Sequence, residues 1–133
     1  MNLNFTISEL VHSDTALKYR IDNTPNVSIS DNLLKLIFYC LQPIRDKLNK
    51  PMIITSGFRC KALNSHPSIK GVSNSQHCTG QAADFVVPGM SIQSIIDFII
   101  KSGIEFDQLI NEYDKWVHIS FNKGKNRKQV LKY

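Results

Sequence analysis

The sequence predicts a small α+β domain with a central, largely antiparallel sheet packed by helices, on three observations. Apolar residues recur at helical spacing in two long stretches, near 30–48 and 91–103. Short β-branched or aromatic runs alternate with those stretches, and the last two runs are joined by a turn, as in a hairpin. The chain has 133 residues and a hydrophobic share of 42%, enough for one core and too little for two. It is therefore read as a single domain over 1–133, with an N-terminal arm over 1–29 and a basic, solvated C-terminal tail over 122–133.

Thr6 and Glu9 have capping-box spacing and open a short helix through Leu10 and Val11; Asn23, Pro25 and Asn26 then read as loop. Ser30 is the expected cap of a long amphipathic helix with Leu33, Leu34, Ile37, Leu41, Ile44 and Leu48 on one side, kinked near Pro43. Met52 to Thr55 reads as a buried strand ending at the Ser56-Gly57 turn, and Lys61 to Asn64 as a brief helical turn. His66 to Ser75 is polar and irregular. Ala82 to Val87 reads as a second strand closed by Pro88-Gly89. Ser91 caps a helix with Ile92, Ile95, Ile96 and Ile99 on its apolar face, ended by Gly103. Phe106 to Tyr113 and Trp116 to Phe121 complete the expected hairpin across Asp114-Lys115.

The formal net charge is +5 and the pI about 9.2, which favours anionic partners without choosing among nucleic acid, membrane surface and wall polymer. No nucleic-acid motif accompanies the charge, so nucleic acid ranks last. Cys40, Cys60 and Cys78 are odd in number and lack CxxC spacing, implying neither a disulfide framework nor a zinc finger. No stretch reads as a secretory signal or a membrane span, so synthesis in the cytoplasm without membrane insertion is expected, as a monomer. A target outside the membrane would then require release or delivery.

The chemistry concentrates in Ser75-Gln76-His77-Cys78-Thr79-Gly80-Gln81-Ala82-Ala83-Asp84. Asp84 stands inside an apolar run, and a buried carboxylate needs a cation, strong donors or a metal. His118 poses the same question at the centre of Trp116-Val117-His118-Ile119-Ser120. A lone histidine there is ordinarily a hydrogen-bonded core residue; with His77 and Asp84 as co-ligands, a three-ligand metal site with an open position is favoured.

Ser56-Gly57-Phe58-Arg59, Asn64, the pattern SxHxxGxAxD from Ser75 to Asp84, and Trp116-Val117-His118-Ile119-Ser120 together resemble the M15 zinc peptidases, the D-alanyl-D-alanine carboxypeptidase-like group. The compact length and Phe5-Thr6-Ile7-Ser8-Glu9-Leu10, followed by Ser13 and Thr15-Ala16, look most like its phage and prophage branch. The resemblance implies the fold shared by Hedgehog and D-Ala-D-Ala peptidases, and one Zn2+ per chain on His77, Asp84 and His118. It also implies hydrolysis of peptide bonds involving D-amino acids in bacterial peptidoglycan, by a carboxypeptidase or an endolysin-like endopeptidase. Arg59 and Ser75 are implied substrate contacts, Arg59 also by polarising the scissile carbonyl; otherwise they are a surface ion-pair residue and a turn residue.

Well-known members carry a carboxylate three residues before the last histidine, or a second histidine two before it. Here those positions hold Lys115 and Trp116. Two carboxylates remain as general base, Glu112 and, as the alternative, Asp114. Glu112 is preferred, because a hairpin register placing it across from His118 would aim both at the metal, whereas a slip of one residue would turn it away. Asp114 beside Lys115 reads more simply as a turn residue. Trp116, on the His118 face, is expected to wall the site and pack on substrate, or equally to be a core aromatic. Two rivals stand beside this reading: a cysteine nucleophile at Cys78, disfavoured because no helix N-terminus activates it, and a non-catalytic zinc-containing module that binds wall or serves a phage structure.

Overall fold

In the computed structural model, residues 3–133 are described; Met1 and Asn2, the first residues of the expected arm, lie outside them. The arm carries two short helices, α1 (Ile7–Val11) and α2 (Asp14–Lys18). Thr6 caps the first by accepting from the Glu9 amide, and Ser13 caps the second through the Ala16 amide, which satisfies donors a free helix end leaves unpaired.

The long helix begins a turn earlier than expected. Asn26, not Ser30, is its cap: the Asn26 side chain accepts from the Ile29 amide at 2.8 Å. The helix then runs as α3 (Val27–Leu36), widens to a π-helical turn over Ile37–Leu41, and resumes as α4 (Gln42–Leu48). Pro43 accounts for the interruption lying upstream of itself. Its missing N–H and its ring both act on the carbonyl four residues back, at Tyr39, inside the widened turn.

The sheet has five strands in the order β1-β2-β4-β3-β5: β1 (Ile53–Ser56), β2 (Ala82–Val86), β3 (Gln108–Glu112), β4 (Trp116–Ser120) and β5 (Gln129–Lys132). The first three pairings are antiparallel, and β5 adds to β3 in parallel. Period-two alternation divides the sheet into two chemically different faces. After β1 comes the short α5 (Lys61–Asn64). Ala83, Phe85, Leu109, Val117 and Ile119 are buried in the core with α3, α4 and α6 (Ile92–Ser102), whose apolar stripe is Ile92, Ile95, Ile96 and Ile99. Asp84, His118, Ile110, Glu112 and Trp116 face the other way, because Asp84 pairs with His118, Ile110 with His118, and Glu112 with Trp116. The expected helix end at Gly103 is present, with Gly103 left-handed.

The stretch read as a solvated basic tail is ordered from 129 to 132, where β5 covers the edge of β3 with Gln108 opposite Gln129 and Asn111 opposite Lys132. Its side chains remain mostly exposed, so no apolar pattern announces it. The edge of β3 supplies the backbone partners instead. Among the described residues no helix is long and apolar enough to cross a membrane.

Candidate metal centre and active site

His118 sits mid-strand on β4, between β2 and β3. His77 lies outside the sheet on a single 3-10 turn, Gln76–Thr79, whose cap is Ser75 accepting from the His77 amide. The turn closes at Gly80, left-handed at φ 75° and so near α3 that a Cβ would lie 2.8 Å from the Ile29 carbonyl oxygen. Only glycine fits both demands.

These elements bring His77, Asp84 and His118 together, all three buried, with one ligand atom from each within 4.8 Å of the others. Asp84 Oδ1 lies 3.3 Å from His77 Nε2 and 2.9 Å from His118 Nδ1. Burial pushes the Asp84 carboxyl up, but the charge of His77 and the hydrogen bonds of both imidazoles outweigh that and hold it well below the usual carboxylate range. It is an anion with both histidines turned to it.

The tautomer of His77 is set by the backbone. Its Nδ1 lies 2.6 Å from the Gly57 carbonyl, an acceptor only, so Nδ1 carries a hydrogen and Nε2 is the ring nitrogen presented to Asp84. Gly57 is itself dictated by packing, since a Cβ there would collide with the Leu10 carbonyl. Phe58 donates to that same carbonyl at 2.7 Å. Two imidazoles and a carboxylate within reach of one another, with the back of one ring tied to a carbonyl, are a donor set that a divalent metal such as zinc would fit.

Glu112 lies not across from His118 but two residues along. The hairpin loop takes three residues, 113–115, and Tyr113 and Asp114 are both left-handed. A two-residue offset preserves the face, and Glu112 Oε1 is 3.8 Å from His118 Nδ1. Burial raises its proton affinity, as does Asp84, and the two histidines partly offset both. Asp114 is placed at the turn, its carboxylate accepting from Asn111 Nδ2 while its amide donates to Asn111 Oδ1. Asn111 also donates to Gln93 of α6, so this pair belongs to the helix-covered face of the sheet.

A cavity of about 680 Å³ opens over this cluster, with Arg59, Ser75, Glu112 and Trp116 in its walls. Burial lowers the Arg59 guanidinium's proton affinity, and Asp84, Cys78 and Glu112 draw it back. Among the described residues its Nε is buried with no partner, and its one side-chain hydrogen bond is to Ser56 at 3.4 Å. An arginine beside a cavity without a partner carboxylate is free to grip one from a ligand. The Trp116 indole N–H is likewise buried without a formed hydrogen bond, though near enough to weigh on the Glu112 carboxyl. Cys78, by contrast, is not activated: burial pushes its thiol up, against the pull of Arg59.

The family model described as Peptidase M15 matches residues 3–120. The chain belongs to the M15 peptidase family. No curated protein matches it. Family membership points to a metallopeptidase, and the His77, Asp84, His118 cluster of this M15 peptidase is compatible with that.

Two supports of the site carried no usable signal in the sequence. Asn23 donates to the carbonyls of Val11 and Phe58 and accepts from the Cys60 amide, stapling the arm to the loop that carries Arg59. Asp107, nearly fully buried, accepts from Gln76 beside His77 and from Arg127. The Arg127 hydrogen bonds, against a smaller effect of burial, hold its carboxyl down to about 2. A single polar residue in a loop and an acid at a strand start are too common to mark such roles.

Proposed function

We propose that the chain is a zinc metallopeptidase hydrolysing peptide bonds that involve D-amino acids in bacterial peptidoglycan stem peptides, as a carboxypeptidase or endopeptidase. The observation that supports it is Asp84 Oδ1 shared by two imidazoles, with Glu112 beside His118 on the same sheet face, at the floor of a cavity that also holds Arg59, which has no carboxylate partner among the described residues.

His77 Nε2, a carboxylate oxygen of Asp84 and His118 Nδ1 would hold one zinc. When bound, zinc supplies Lewis acidity to a water and to the scissile carbonyl. Glu112 acts as general base: it takes a proton from the attacking water as the water oxygen bonds to the carbonyl carbon. It then returns that proton to the amine as the C–N bond breaks. Its raised proton affinity suits both halves. Arg59 draws on the carbonyl oxygen or a substrate carboxylate, Ser75 offers its hydroxyl at the rim, and Trp116 walls the cleft. A product of phage or prophage origin, made in the cytoplasm and delivered to the wall as a monomer, fits this reading.

The test is metal content together with amino groups released from purified peptidoglycan, for the wild type and Glu112→Gln. The expected result is one zinc per chain in both proteins, with cleavage falling on the order of a hundred- to ten-thousandfold in the variant. Zinc without cleavage in either protein would leave the non-catalytic wall-binding module, and no zinc in either would overturn the proposal.

A further inference from the structure

The family match ends at residue 120, yet the wall of the cavity does not. Arg127 and Tyr133 line it along with Arg59 and Lys70, carried there by the connection from β4 and by β5. Arg127 is fixed before any ligand arrives. Its Nε and Nη2 reach the two oxygens of Asp107 at 2.9 and 3.0 Å, and its own amide donates to Asp107 at 2.8 Å.

A guanidinium has five N–H donors. The fork on Asp107 uses two, leaving three on the outer edge of a side chain that is 55% exposed. Asp107 is almost wholly buried and also accepts from Gln76, next to His77, so the geometry of this arm is tied to that of the metal cluster. Lys70, left-handed at φ 53° in the loop that forms another part of the wall, adds a third cation beside Arg59 and Arg127. A pre-set fork costs little ordering when it binds, and its planar edge matches a carboxylate.

We propose that Arg127 is a second carboxylate-binding residue of the active site, taking a substrate carboxylate that Arg59 does not engage. This rests on the peptide-cleaving function proposed above. Stem peptides offer two sources of such a group, the chain-terminal carboxylate and a free carboxylate borne within the stem.

The test compares three synthetic stem peptides: the free acid, the form amidated at its C-terminus, and the form amidated at the internal carboxylate. Their kcat/KM values are measured with the zinc-loaded wild type, Arg127→Gln and Arg127→Lys, and their binding by calorimetry with Glu112→Gln and with Glu112→Gln carrying Arg127→Gln. The wild type is expected to prefer the free acid over one of the amides by about ten- to a hundredfold, carried in KM. Arg127→Gln is expected to erase that preference while keeping one zinc per chain, and Arg127→Lys to restore part of it; the amide affected identifies the carboxylate.

A folded, zinc-loaded Arg127→Gln that keeps the wild-type preference overturns the proposal and leaves Arg127 as a counter-ion for Asp107. Should Arg127→Gln not fold, Arg127→Lys decides: its undiminished preference also overturns the proposal. If the wild type cleaves nothing, the cleavage function fails separately, and calorimetry still decides. An acid-over-amide preference erased with Arg127 upholds the proposal, and equal binding of acid and amides sinks it.

Discussion

His77 and His118 meet the same oxygen of Asp84, yet they are held by unlike means. His118 stands in the middle of a sheet, its backbone laddered to β2 on one side and β3 on the other. His77 stands on four residues of 3-10 turn and depends on contacts from far along the chain: the Gly57 carbonyl behind its ring, the Arg59 amide on its own carbonyl, and Gln76 tied to Asp107. A strand position inherits rigidity from many hydrogen bonds at once, whereas a turn position owes it to a few separable ones. The first should respond only to loss of the ligand itself, and the second in graded steps.

The largest effect is expected from His118→Ala, which removes a proposed metal ligand while leaving the strand: metal content and peptidoglycan cleavage should both be abolished, with the far-ultraviolet circular dichroism unchanged. A variant retaining one zinc per chain would mean that His118 is not a ligand.

An intermediate effect is expected from Gly57→Ala. The added Cβ meets the Leu10 carbonyl and must displace the carbonyl that orients His77. Zinc affinity should fall about ten- to a hundredfold and stability by about 1–3 kcal/mol, read by competition with a chelator and by thermal melting. Unchanged zinc affinity would show that the carbonyl does not hold the imidazole.

The smallest effect is expected from Asp107→Asn, which loosens the far side of the turn. Folding lowers the Asp107 carboxyl from 3.8 to about 2. Its contribution to stability is therefore complete above the unfolded value and lost as pH falls toward about 2. The variant should melt about 5 °C lower near neutral pH, and the gap should narrow as pH drops from 4 toward 2. A gap independent of pH would show that the ionised carboxylate is not what stabilises the turn.

The difference between the two histidines also governs what could be read from the sequence. Asp84 and His118 were legible because each interrupts an apolar alternation that gives its side chain a defined face. The two-faced sheet followed from the same pattern, and the M15 resemblance was in the residues around it. The side on which Glu112 lies depended on loop length, since an even offset preserves the face and an odd one reverses it, and the three-residue loop delivered the even case. β5 was not legible, because Gln129, Val130, Leu131 and Lys132 are mostly exposed and make a strand only by borrowing the edge of β3. Asn26 displaced Ser30 as cap because both have the chemistry and only the path of the chain selects one.

The contacts of the arm give the site a direction of mechanical sensitivity. Leu10 presses on Gly57, and Asn23 bridges Val11, Phe58 and Cys60. Tension applied through the arm therefore reaches the loop bearing Arg59 and the carbonyl behind His77. Tension applied beyond β5 reaches the edge of β3 and Arg127, and through Asp107 and Gln76 the far side of the turn bearing His77. A tether at either end would thus bear on the turn that carries His77, through the Gly57 carbonyl from one side and through Asp107 from the other.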